Sequence, residues 1–412
     1  VSIGSVNATP TRPREGAVVA LLVSLLAGCG SDDPRTDEGP LTFAASDVHA
    51  LGSSESIGVI RDLEVLADGS VWVLNSADPL IVGFDALGGA PRQHGTSGGG
   101  PEEFRMPSGF VDGGLDGEAW VFDFVRHAFI RVSRPGQEWA EVAIPREVVP
   151  SGTVRGGMSL MSPTVRTARL GDEMVFPWTT GTLASGVSSF RMALLRADVS
   201  ALDPTTGTVR KVLTLGDVLE DPSVGFVATD GGFPLWYRLW AVCGNHIRVH
   251  DRVRNELRGF TASGQEIDPV TLPPPRLMEV TPVEFARAVF LLRQAEVTGG
   301  VGTRMAAEDS VRMVNQMAQG LKGSPQELAA YLPRYVDFRC SDDGTMWLQP
   351  IDLAAGGLQG GPAWLRIAPD GSVRDVRFPA RFDPFRFRDE RVWGVQRDEL
   401  DIATVAWLDL TG

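Results

Sequence analysis

Short apolar segments separated by tight Asp-Gly turns recur along most of the chain, and no segment is long enough to shield itself from water. The stretch from Asp62 to Gly88, DLEVLADGSVWVLNSADPLIVGFDALG, shows the pattern best. Asp68-Gly69 supplies the positive-φ positions of a hairpin turn. Val71 and Val73 then alternate with Trp72 and Leu74 across the pleat, and Ile81 to Asp85 is the next strand. The unit returns at Ser108 to Gly136, with Trp120 in the place of Trp72. A weaker third copy runs from near Val165 through Phe190 to Asp198, and a fourth from Leu239 to Phe260. A fifth starts at Tyr335, passes Asp343-Gly344 and Trp347, and ends at Val373 to Phe378. A sixth is short, Phe387 to Leu410.

A single unit of this kind cannot bury both faces of its small sheet, whereas units stacked around an axis can. The spacing of roughly 40–60 residues suits a four-stranded blade. The expected fold class is therefore all-β, a six-bladed β-propeller over residues 41–412. The last copy lacks a strand. Residues 41–59, including Leu41-Thr42-Phe43, are expected to supply it and close the ring, which removes the open sheet edges.

Residues 279–333 break the β rhythm, and an α-helical insertion is predicted there, between the fourth and fifth blades. Thr281-Pro282-Val283-Glu284 reads as a capping box with proline at the first helical position. Val283, Ala286, Val289 and Phe290 follow at helical spacing. A second helix fits Ala306 to Gly320, with Val311, Val314, Met317, Ala318 and Leu321 on one side, and a third opens at Ser324-Pro325. The insertion is read either as a lid or docking surface or as a cover for apolar surface.

The N-terminus carries a separate message. Arg12 and Arg14 precede an uninterrupted run of small and apolar residues, Ala17 to Ala27. That run is too short to span a bilayer comfortably but suits a signal-peptide core. Leu26-Ala27-Gly28-Cys29 follows and resembles the bacterial lipobox. The resemblance implies a lipoprotein signal peptide over 1–28 and lipid attachment at Cys29. Gly30 and Ser31 follow the cysteine where an aspartate would imply retention on the inner membrane. The resemblance thus implies an outer-membrane lipoprotein of the cell envelope, facing periplasm or cell surface. Residues 29–40 are polar and aperiodic and read as a disordered tether.

The formal net charge is −14. Nucleic acid is excluded as a partner on this ground, because phosphate binding needs a basic face. Electrostatic docking on anionic lipid is disfavoured for the same reason.

Between the first two copies runs HGTSGGGPEEFRMP, His94 to Pro107. It resembles the connector of NHL-type propellers, in which a glycine-rich turn leads to a Gly-Pro-Gly/Glu-Glu-Phe segment, here Gly100-Pro101-Glu102-Glu103-Phe104, and a proline before the next strand. On these residues the chain resembles the bacterial six-bladed propeller (NHL/TolB-like) lipoproteins. A phosphate-binding loop is excluded here, since no Gly-Lys-Ser/Thr follows the glycines.

Candidate chemistry is sparse. Arg61, Arg166, Arg238, Arg339 and Arg388 fall on predicted innermost strands, where guanidinium forks could hold an anion in the channel. The alternative is that they pair with channel carboxylates such as Asp62 or Asp337. Cys243 and Cys340 sit at similar points of neighbouring copies, so a disulfide is possible, with two buried thiols as the simpler reading. His246 and His250 share one strand face beside Asp251, but no third ligand is identifiable, so no metal site is assigned. No catalytic residue and no cofactor is assigned either, and no Gly-x-Ser-x-Gly nucleophile elbow occurs. The function expected is a lipid-anchored binding or scaffolding module for a protein, peptide or glycan. The alternative is a periplasmic hydrolase or lyase with its site at the channel mouth. Three or more inward carboxylates or histidines within reach at one channel end would favour the enzyme.

Overall fold

The computed structural model describes residues 39–411, except 54–56, 87, 115–117, 133–138, 146–165, 181–195, 215–239, 252–253, 275–278, 289, 291–306, 321–324, 326–331, 333, 352–362, 389 and 401. The described chain is mostly β, in a propeller-like arrangement. β1 (Leu41–Thr42) and β2 (His49–Gly52) flank one turn of 3-10 helix. An antiparallel meander follows, β3 (Ile60–Val65), β4 (Val71–Asn75), β5 (Ile81–Phe84) and β6 (Arg92–His94). The glycine-rich connector is held by a short parallel pair, β7 (Thr96–Ser97) and β8 (Glu103–Phe104).

The next meander is β9 (Pro107–Asp112), β10 (Ala119–Asp123), β11 (Ala128–Val132) and β12 (Ala140–Ala143). It is joined through a parallel β9–β13 contact to β13 (Thr167–Leu170), β14 (Glu173–Thr180), β15 (Arg196–Leu202) and β16 (Val209–Thr214). Another meander comprises β17 (Trp240–Cys243), β18 (His246–Asp251), β19 (Glu256–Thr261) and β20 (Glu266–Thr271). After a helical stretch come β21 (Tyr335–Cys340), β22 (Met346–Pro350), β23 (Ala363–Ile367) and β24 (Val373–Arg377). The chain ends on β25 (Phe382–Arg388), β26 (Arg391–Arg397) and β27 (Ala403–Asp409).

The turns form where the sequence places Asp-Gly-Ser/Thr. Gly69 has φ +77° and the Asp68 carboxylate accepts the Ser70 amide at 3.0 Å. Asp343-Gly344-Thr345 repeats this, with φ +83° and a 2.8 Å bond from the Thr345 amide. Each turn thus needs a residue without Cβ beside one whose carboxylate closes the loop.

The cores lie between sheets, as expected for units that cannot shield themselves. Trp72, Leu74 and Ile81 pack against Phe110, Val121 and Ile130 of the next meander. Trp120, Phe122 and Phe129 meet Met174, Phe176 and Leu202. Val175 and Val199 meet Trp240 and Val249, and Leu257 meets Phe338 and Leu348. Trp347, Trp364 and Phe378 pack on Phe387 and Val392. The last sheet then closes on the first, with Trp393, Val395 and Val405 against Leu63, Val73 and Val82. Each fully buried side chain of this size is worth about 1.5–3 kcal/mol.

The segment 41–59 supplies the strand missing from the last sheet, as expected, but not through Leu41-Thr42. Leu41-Thr42 pairs in parallel with β24, extending that sheet to five strands. His49–Gly52 is the strand that lies antiparallel to β27 and completes the last sheet. The reason is local: β24 and β27 both offer open edges, and the intervening turn lets one short segment serve each.

The helical stretch falls between β20 and β21 in the chain. Thr281 caps its first helical turn, donating its amide to the Glu284 carboxylate at 2.8 Å and accepting the Glu284 amide at 3.2 Å. The Thr281 amide and hydroxyl, both donating to the Glu284 carboxylate, hold its pKa below the usual value. The second helix is α1 (Ala307–Gly320). Ala286 and Phe290 pack on Val314, with Met317 and Ala318 alongside. Val311 and Val283, expected on the same faces, are exposed instead, because each lies a turn short of the contact. Val289, Leu321 and the third predicted helix lie outside the described residues, apart from a helical Pro325.

Candidate functional site

The first strands of the successive meanders, β3, β9, β13, β17, β21 and β25, lie beside one another in that order, and β25 returns to β3. Charged residues on such strands sit close to the axis, between otherwise apolar sheets. Several of these strands carry a bulge, near the start of β3, β9 and β21 and in the middle of β25. The extra residues are Arg61 on β3, Ser108 on β9, Val336 on β21 and Phe385 on β25. A bulge bends the strand and re-aims the side chains around it.

Arg386, immediately after the β25 bulge, gathers three carboxylates. Its Nε lies 2.8 Å from Glu64 and 3.3 Å from Asp112, and its Nη1 lies 3.1 Å from Asp62. Arg386 is 5% exposed and Glu64 1%. Burial works against the Arg386 charge, but Asp62, Asp112 and Glu64 outweigh it and raise its pKa. Asp62 also accepts the Leu63 amide at 2.9 Å and the Phe110 amide at 2.8 Å, which ties β3 to β9.

For Glu64 the balance goes the other way. Burial pushes its carboxyl up to about 7, despite the opposing pull of Arg386. The neighbouring Asp112 adds to the rise. The folded chain therefore keeps a proton that the unfolded chain has already lost above its ordinary value of 4.5. Stability contributed by this group is present at low pH and is lost as pH rises through about 7, an effect of roughly 3 kcal/mol at most. Glu64→Gln, which cannot ionise but can still accept from Arg386, is expected to flatten the melting-temperature profile between about pH 5 and pH 8. An unchanged slope in that variant would show that another group titrates.

The other arginines from the sequence occupy distinct places. Arg388 meets Asp342 at 2.6 Å, bonds the Val65 carbonyl, and lies 3.9 Å from Glu64. Burial opposes its charge, and the Asp342 bond and charge raise its pKa overall. Arg166, just before β13, reaches Asp337 at 2.5 Å and donates to the Phe338 carbonyl. Burial pulls its pKa down to about 10, with Arg339 adding to the drop and Asp337 opposing it. Arg339 also meets Asp337, at 3.2 Å. Arg61 bonds the Pro107 carbonyl at 3.2 Å. Arg238 and Cys29 lie outside the described residues.

The carboxylates considered from the sequence therefore divide. Asp337 pairs with two of the predicted arginines, whereas Asp62 pairs with Arg386, which the sequence reading passed over together with Glu64 and Asp112. A detectable signal was present. RDLEV and FRFRDE place charges two apart within otherwise apolar strands. That is the alternation of a strand with one face kept for charge.

Cys243 and Cys340 are joined in a disulfide, with Cα atoms 5.2 Å apart. It links the ends of β17 and β21. His250 is buried and meets the edge of Tyr335, and Asp251 accepts the Arg254 amide at 3.0 Å. Among the described residues no group of three or more His, Cys, Asp and Glu side chains is arranged to hold a metal ion. Nor, among them, is any helix long and apolar enough to cross a membrane.

The chain matches no protein-family model, and no curated protein matches it in sequence. Solved structures share its arrangement at low identity. A streptogramin B lyase overlaps with a TM-score of 0.39 and 13% identity, over 87% of this chain and 96% of that one. The calcium-binding protein regucalcin from Agrobacterium tumefaciens gives 0.42 and 11%, over 90% and 95%. A gluconolactonase from Xanthomonas campestris gives 0.41 and 11%, over 90% and 95%. Overlap of this order assigns neither site nor activity, and the propeller-like arrangement rests on the strand order and inter-sheet cores described above.

Proposed function

We propose that the chain is a lipid-anchored cell-envelope β-propeller of six blades, related to the NHL/TolB-like lipoproteins, that acts as a binding or scaffolding module for a protein, peptide or glycan. The observation that carries this reading is that the axial carboxylates Asp62, Glu64, Asp112 and Asp337 are each taken up by an arginine. Three carboxylates do converge, but on the Arg386 guanidinium rather than on an open position. A titratable group enclosed in that way is spent on holding strands together. Support for six blades comes from the neighbour order of the inner strands, each the first of a meander, which returns from β25 to β3. Support for export comes from the Leu26-Ala27-Gly28-Cys29 motif and from the disulfide, since disulfides persist in oxidising compartments. The helices between β20 and β21 leave Val283 and Val311 exposed, an apolar surface that suits docking.

A hydrolase or lyase is the second reading, and Glu64 favours it. A carboxyl raised to about 7 is suited to general acid–base work. Its near-complete burial weighs against this, because a substrate would have to displace Arg386 to reach it. A panel of lactones and esters, tested with and without divalent cations, decides between the readings. Turnover that disappears in Glu64→Gln would sink the binding module.

Anchoring has its own test. Cys29→Ser is expected to abolish incorporation of radiolabelled fatty acid and to move the protein from the membrane to the soluble fraction. Labelling that survives the substitution would refute lipidation at this residue.

A further inference from the structure

Of the predicted channel arginines that the structure describes, Arg166, Arg339 and Arg388 are committed to carboxylates. Arg61 is not. Among the described residues it has no carboxylate partner, and its hydrogen bond runs from Nη1 to the Pro107 carbonyl. Its Nε is buried without a partner. Burial lowers its pKa, and no neighbouring carboxylate opposes the drop. The side chain is half-buried rather than enclosed, which leaves a route to it.

Ser108 follows, in the chain, the Pro107 whose carbonyl accepts from this guanidinium. It is 2% exposed, and its Oγ is also buried without a partner. Arg61 and Ser108 are the bulge residues of neighbouring inner strands, so both lie at the end where those strands begin. Two buried polar atoms without partners at the same end of neighbouring strands, one of them on a cation, are a costly arrangement for a folded chain. Water can serve the hydroxyl but cannot neutralise the charge. An oxyanion does both, since its oxygens accept from the planar fork and from the hydroxyl together.

We propose that Arg61 and Ser108 form an oxyanion-binding site at this end of the channel, taking the carboxylate or phosphate group of a ligand. The site deepens the binding reading above and depends on it only for the larger ligand that carries the anion.

The full-length protein is titrated with inorganic phosphate and, separately, with acetate, at ionic strength held constant with chloride, and read by calorimetry and melting temperature. Saturable binding of one or both in the millimolar range is expected. Binding of acetate alone assigns the site to carboxylates, and binding of phosphate alone assigns it to phosphate groups. Arg61→Gln is expected to abolish binding. Arg61→Lys is expected to weaken it about tenfold, because an ammonium cannot present the fork. Ser108→Ala is expected to weaken it several-fold. Arg312→Gln, on the exposed face of α1, is the control expected to change nothing. Should Arg61→Gln lose its cooperative melt, Arg61→Lys and Ser108→Ala carry the decision. Absence of saturable binding of either anion overturns the proposal, as does binding of equal strength in the Arg61 and Ser108 variants. Arg61-dependent anion binding by a protein that retains no macromolecular ligand leaves this site standing and removes only the broader reading.

Discussion

Arg386→Met is expected to cost the folded protein about 3–5 kcal/mol, the usual price of stripping one partner from a buried ion cluster. The substitution removes the cation from a position 2.8 Å from Glu64, 3.1 Å from Asp62 and 3.3 Å from Asp112. Methionine fills a similar volume, so lost packing contributes little and the cost is electrostatic. Three carboxylates then face one another, with Arg388 3.9 Å from Glu64. The loss is expected to shrink as pH falls, because protonation removes the repulsion. Denaturant titration at neutral and acid pH measures both effects. A midpoint equal to that of the parent at neutral pH would show that the cluster is not what fastens the first and last sheets. Adding Glu64→Gln to the Met variant should recover part of the loss, since the two residues touch and their effects cannot simply add.

Removing the disulfide is the second large effect expected. Cys243 and Cys340 are separated by 97 positions, and closing a loop of that length restricts the unfolded chain strongly. Cys243→Ala with Cys340→Ala is expected to lower stability by roughly 4–5 kcal/mol on the chain-entropy account. The bridge spans the helical stretch and ties β17 to β21, so both helices lie within the loop it closes. Thiol labelling of the denatured, unreduced protein checks the bond directly. Full alkylation of both residues without reductant would show that the bridge does not form, and the stability prediction would go with it.

The strands were readable because their information is local. Trp72, Trp120 and Trp347 each sit on the second strand of a sheet, following an Asp-Gly turn or the corresponding turn of the second copy, and each is buried where the alternation placed it. The capping box at Thr281 was readable for the same reason: its donors and acceptors are three residues apart. The pairing of the N-terminal segment was not. Leu41-Thr42 and His49–Gly52 are both short and extended, and nothing within them says which open edge each will meet. The helix faces were read one turn too wide, since spacing marks a stripe but not where the partner helix ends.

The charged cluster marks the clearest limit. Arg386 finds Glu64 across 322 positions of sequence, and Arg166 finds Asp337 across 171. From sequence alone an arginine on an inner strand is a charge near the axis, with every nearby carboxylate an equal candidate.

The amino-acid order by itself determined the turns, the alternating strands and the helix cap, because these depend on neighbours a few residues away. Only the tertiary structure decided which sheets touch, which carboxylates Arg386 takes and that Arg61 meets none among the described residues. Those outcomes depend on distances between strands brought together by burial, and burial acts on surfaces without regard to their separation along the chain.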